Sequence, residues 1–128
     1  SGETVYLPRE KTEAALVRLL KKTTLEYMST LTATFANRYG FSYNAVKVSS
    51  AHSRWGSCNS KGNISYSFRV ALLPVSLSEY IAVHELCHTR QLNHSAKFWR
   101  EVERILPDYT RRRRELRRNS AIMALFRG

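Results

Sequence analysis

Residues 84–94 read His84-Glu85-Leu86-Cys87-His88-Thr89-Arg90-Gln91-Leu92-Asn93-His94, and this run gathers three of the chain's four histidines around one glutamate. On a helix, His84 and His88 project from one face a turn apart, where two imidazole nitrogens can take adjacent corners of a tetrahedron around one ion. Glu85 lies about 100° round the helix from His84, so it can flank a metal and hydrogen-bond its water without binding the ion itself. His94 is too far along to share that face, so the chain is expected to turn near Asn93, a residue that tolerates left-handed backbone. Three protein ligands leave a fourth position open, which is the pattern of a catalytic zinc rather than a structural one. The stretch therefore predicts one Zn2+ per chain, held by His84, His88 and His94, with Glu85 as the catalytic residue. The bland alternative is a buried helix whose three histidines each find a carbonyl or carboxylate partner. Cys87, between the first two histidines, reads as a small apolar residue packed beneath the helix rather than as a fourth ligand.

Working outward, Ser76 and Glu79 form a capping-box pattern that opens the metal helix and carries it to about Leu92. Ala82, Val83 and Leu86 lie on the side away from the histidines, so that side is expected to pack into the core. Ser95 can cap a further helix, Ala96 to Ile105, closed by Pro107. Tyr109 to Arg127 has helical spacing through Leu116, Ile122, Met123 and Phe126, interrupted at Arg118-Asn119-Ser120. Upstream, beyond Val5 and Tyr6, Pro8 suits the first turn of a long helix with apolar residues at Leu16, Leu20, Tyr27, Leu31, Phe35 and Tyr39. Gly40 stops it, and Thr23-Thr24 is a point where it could divide. From Ala45 the period changes to two. Val46 and Val48 alternate with polar residues, and Ser53 to Cys58 and Ile64 to Val70 flank Asn59-Ser60-Lys61-Gly62-Asn63 as a hairpin. The class is α+β: a long N-terminal helix, a short antiparallel-rich sheet, a central metal-binding helix and C-terminal helices. Strand Ile64 to Val70 is expected beside the metal, adding an extended peptide to its open edge; the plain alternative is an internal strand, paired on both sides by Val46 to Ser50 and by Arg54 to Cys58.

At 128 residues the chain is read as a single domain, residues 1–128. It contains no run of about eighteen apolar residues, so nothing in it is expected to span a membrane. No signal peptide is visible, although the first residues are Ser1-Gly2 rather than Met, which leaves open whether upstream sequence is missing. Two cysteines could make at most one bridge, and a reduced, cytoplasmic protein is expected. The net charge of +11 favours polyanions. Much of it sits in residues 109–128, where seven arginines face one glutamate. Arg111, Arg112, Arg113, Arg114, Arg117 and Arg118 are therefore candidates for binding nucleic acid or another polyanion, against the plain reading of a solvated helix.

The stretch Ser53-Arg54-Trp55-Gly56-Ser57-Cys58, followed by Lys61-Gly62-Asn63-Ile64, the metal run, Phe98-Trp99 and Leu106-Pro107-Asp108-Tyr109, resembles the YgjP-like metallopeptidases, relatives of the SprT-type proteases. The resemblance is close over roughly residues 50–110. It implies a small zincin-like domain with His84, His88 and His94 as ligands and Glu85 as catalytic base. Members carry a β-rich segment ahead of the first helix that this chain lacks, which leads to the expectation of a shortened chain or a short variant. The metzincin pattern is set aside, because Gln91 stands where that family needs glycine and neither Met28 nor Met123 lies in a suitable turn.

The leading expectation is zinc-dependent hydrolysis of peptide bonds in a peptide or protein substrate. Trp55, Tyr66, Arg69 and Tyr109 are candidate substrate-binding residues, the last three and His52 also as stabilisers of the oxyanion. Each has a plain alternative: Trp55 buried before a glycine bulge, the tyrosines in core or rim, Arg69 solvated or ion-paired, His52 on the surface. Trp99 is expected to anchor the helix after His94. Rival readings are a zinc hydrolase of a nucleotide-type substrate and a nucleic-acid-associated module with structural zinc. Oligomeric state cannot be read from the sequence.

Overall fold

The computed structural model describes residues 8–126, so Val5, Tyr6 and Arg127 lie outside the described residues. Helix α1 (Pro8–Tyr39) runs unbroken for 32 residues through Thr23 and Thr24. Its buried line is Val17, Leu20, Thr24, Met28, Thr32 and Ala36, which shares only Leu20 with the line of apolar residues that the sequence offers. Leu16 and Tyr27 are exposed, and Leu31, Phe35 and Tyr39 pack only partly against the core. Two threonines can occupy the core because both hydroxyls are satisfied there: Thr24 Oγ1 donates to the Phe68 carbonyl at 2.8 Å, and Thr32 Oγ1 lies 2.8 Å from the Tyr66 hydroxyl. Gly40, at φ +74°, takes the left-handed position that ends the helix, with the Phe41 amide returning to the Ala36 carbonyl at 2.9 Å.

Strands β1 (Ala45–Ser49), β2 (Gly56–Cys58) and β3 (Asn63–Ser67) form one sheet in the order β1-β3-β2. The β2–β3 hairpin is antiparallel as expected, with Gly62 at φ +78° and the Asn59 side chain accepting from the Lys61 and Asn63 amides, both at 3.0 Å. The longer ladder, β1–β3, is parallel, so the sheet is mixed rather than antiparallel-rich. Segment 50–62, which contains β2, supplies the crossover that a parallel pair needs. β3 is thus the central strand, paired on both sides. The expectation that it presents an open edge to a peptide is wrong; it also stops at Ser67, and Phe68–Leu72 form a 3₁₀ turn.

Helix α2 (Val75–His88) starts at Pro74 without a side-chain cap. The expected capping box does not form, because Glu79 instead accepts from Arg112 at 3.1 Å while the same guanidinium takes the Ser76 carbonyl at 2.9 Å. Ala82, Val83 and Leu86 are fully buried against the core. α2 ends at His88, about a turn before Leu92, and a non-helical segment leads to α3 (Ala96–Ile105), whose Phe98 amide is accepted by the Ser95 hydroxyl. Helix α4 (Tyr109–Arg118) follows, and a 3₁₀ turn at Ser120–Ala124 takes up the expected interruption. Among the described residues no helix is long and apolar enough to cross a membrane. Both cysteines are free thiols.

Candidate metal centre and cleft

α2 presents His84 and His88 one turn apart, and the segment after it swings His94 back over them. The ligating atoms of the three lie within 4.8 Å of one another. His94 Nε2 stands 3.1 Å from His88 Nε2 and 3.2 Å from His84 Nε2. Nitrogens bound tetrahedrally at about 2.0–2.1 Å from one zinc ion are about 3.3 Å apart, so these residues fit such an ion. The tautomers fit as well. His88 Nδ1 lies 3.0 Å from the Gln91 carbonyl and His84 Nδ1 lies 3.2 Å from Glu85 Oε2. Each oxygen can accept from an Nδ1–H, and that tautomer would leave the Nε2 atoms of His84 and His88 to face an ion. Burial, then the neighbouring His84 and His88, hold His94 below the usual histidine range and so favour its neutral form.

Phe98, fully buried, floors the site. Its ring stacks on His88 at 4.4 Å and meets His84 and His94 edge-on at 5.1 and 5.0 Å. Trp99 stacks on His94 at 5.7 Å and on Tyr109 at 5.5 Å, so it fixes the third histidine's ring as well as anchoring α3. Cys87 points away into the core, with burial pushing its thiol up to about 12, which suits a packed thiol and not a ligand. Glu85 is 4% exposed. Gly56 of β2 lies so close that a Cβ there would be 3.0 Å from Glu85 Oε2. The glycine expected as a bulge after Trp55 instead makes room for the glutamate.

A cleft of about 370 Å³ opens beside His84 and Glu85, between α2 and α4. Trp55, Tyr80, Ile81 and Leu116 supply its apolar lining, and Arg54, Arg113 and Arg117 its charge. Trp55 is therefore a cleft wall. Tyr66 is not: it is fully buried, its hydroxyl is taken up by Thr32, and burial drives its ionisation well above the ordinary tyrosine value. Arg69 is not either. It is 1% exposed and neither solvated nor ion-paired, its guanidinium donating to the carbonyls of Ala51, Leu125 and Phe126 at 3.1, 2.8 and 2.6 Å while lying over the Phe68 ring. His52 is exposed, in the segment before β2.

The six arginines of α4 do not form one uniform face. Arg112 is a structural tie to Asp108, Glu79 and Ser76, and so is removed from the polyanion candidates. Arg111 pairs with Asp108 and Arg118 with Glu115, both at 2.7 Å. Arg113 lies over the Trp99 ring at 4.6 Å and, with Arg117, lines the cleft; Arg114 is exposed.

With that geometry in hand, a family model for the YgjP-like metallopeptidase domain matches residues 2–119, and the chain belongs to that family. It is a metallopeptidase by family and by fold. Among solved structures, the metallopeptidase zymogen of Pyrococcus abyssi abylysin is similar, at 27% identity and a TM-score of 0.57, over 62% of this chain and 80% of that one. No curated protein matches the chain.

Proposed function

We propose that the protein is a zinc-dependent peptidase in which His84, His88 and His94 hold a single ion and Glu85 is the general base. The observation that carries this reading is the convergence of three histidine nitrogens within 4.8 Å of one another, two of the pairs at 3.1 and 3.2 Å, next to one buried carboxylate. When bound there, zinc lowers the pKa of a water to about 7 and polarises a carbonyl. Glu85 accepts the proton of the attacking water and returns it to the leaving amine. Its burial and the contact with Gly56 hold the carboxylate against His84, beside the histidine cluster. β2, the strand at the sheet edge beside Glu85, replaces β3 as the element that an extended peptide would align with. Trp55 and Tyr80 wall the cleft through which the chain would run.

Glu85→Gln tests the assignment. The amide cannot take a proton, so the variant is expected to hold zinc with unchanged stoichiometry and to lose at least about a hundredfold in peptide hydrolysis. Undiminished hydrolysis would remove Glu85 from the mechanism.

A further inference from the structure

The three arginines of the cleft differ from their neighbours in what they meet. Arg111, Arg112 and Arg118 each end on a carboxylate. Arg54, Arg113 and Arg117 end on none among the described residues. They come from opposite walls, Arg54 from the approach to β2 and the other two from α4. The single acidic residue lining the cleft, Glu85, already accepts from His84.

This arrangement carries a cost that a bound anion would relieve. Arg113 and Arg117 are one turn apart on the same face of α4, where like charges oppose the helix. Trp55, Ile81 and Leu116 give the cleft an apolar lining beside these two exposed guanidinium groups. Arg113 is also held in place, its guanidinium lying over Trp99 at 4.6 Å, so part of the ordering needed for binding is already made. A planar guanidinium takes a carboxylate through paired N–H donors, whereas a neutral amide returns much less.

We propose that this cleft is a carboxylate-recognition subsite, in which Arg113 and Arg117, with Arg54 opposite, hold an acidic group of the peptide next to the reaction centre. The proposal rests on the peptidase reading for its placement beside the scissile bond. The carboxylate belongs either to an Asp or Glu side chain or to a free C-terminus, two sources with the same chemistry.

Peptide twins separate them: one set exchanges Glu for Gln at successive positions, the other exchanges the C-terminal acid for its amide. Binding of labelled twins is measured by fluorescence anisotropy on the zinc-loaded full chain carrying Glu85→Gln, so that no peptide is consumed. The acidic twin is expected to bind about tenfold more tightly. That preference should fall close to one in Arg113→Gln/Arg117→Gln, survive in part in Arg113→Lys/Arg117→Lys, and shrink with added salt. Equal affinity of the twins for the unaltered cleft, or a preference that persists in the Gln pair, overturns the proposal. So does a single-stranded oligonucleotide that displaces the peptide at lower concentration than the acidic twin does, which would assign the cleft to nucleic acid. Cleavage by the wild-type protein reports separately on the peptidase reading. Preference without cleavage defeats that reading and leaves the carboxylate site standing, and cleavage without preference does the reverse.

Discussion

Gly56 shows how a single missing side chain sets the position of the proposed base. Its backbone needs no special conformation, but an added Cβ would stand 3.0 Å from Oε2, 3.1 Å from Cγ and 3.3 Å from Cδ of Glu85. Gly56→Ala is therefore expected to push the carboxylate aside, lowering kcat/KM by about tenfold or more while zinc content stays the same. Steady-state kinetics with metal analysis checks this, and full activity would show that Glu85 has room to spare. At this scale the clustering of the three histidines was legible because their spacing is local to one helix and one turn. The sequence could not disclose the places that Gly56 and Tyr80 take in the cleft or that Phe98 takes beneath the histidines, which depend on elements meeting across the fold. Tyr66 and Arg69 were misread for the same reason: their partners, Thr32 and the carbonyls near residues 51 and 125, are distant in sequence.

Among the elements, the segment that carries His94 between α2 and α3 is pinned by Arg90. Its guanidinium donates to the Gly40 carbonyl at the end of α1 and pairs with Glu101 of α3. Arg104, and with it Arg90, holds the Glu101 carboxyl below its ordinary value. A carboxylate with a depressed folded pKa stabilises the fold above its unfolded pKa of about 4.5, and that contribution is lost as pH falls through the lower folded value. The melting temperature should therefore drop more steeply between pH 5 and about pH 3 in the wild type than in Glu101→Gln; parallel slopes would contradict the tie. Helix ends such as Gly40 and Ser95, and the hairpin turn at Asn59–Gly62, were legible because capping and turn chemistry is local. The Ser76–Glu79 box was a false signal, since Arg112 from α4 outcompeted it. The buried line of α1 was misplaced because two threonines found hydrogen-bond partners and displaced larger apolar side chains from the core. The parallel β1–β3 pairing left no local signature.

For the whole molecule, part of the net charge of +11 lies in arginines tied to carboxylates, in Arg69 caged by carbonyls, and in three arginines that line the cleft. Composition announced a taste for anions, and only the placement of α4 across from β2 gives it an address. The proposed ion would join α2 to the segment before α3, so it should bind the folded chain and not the unfolded one. With free zinc about a hundredfold above Kd, that linkage is worth about 2.7 kcal/mol. At about 4 °C per kcal/mol, the chain should melt about 10 °C higher when loaded than after chelation, and a shift near zero would argue against a native zinc site. The most direct measurement is cleavage of an unbiased peptide library by the protein stripped with chelator and then given one equivalent of zinc. Cleavage that is absent from the stripped protein, returns with zinc and vanishes in His88→Ala is the result expected. No cleavage at any zinc level, or cleavage indifferent to the metal, would contradict it.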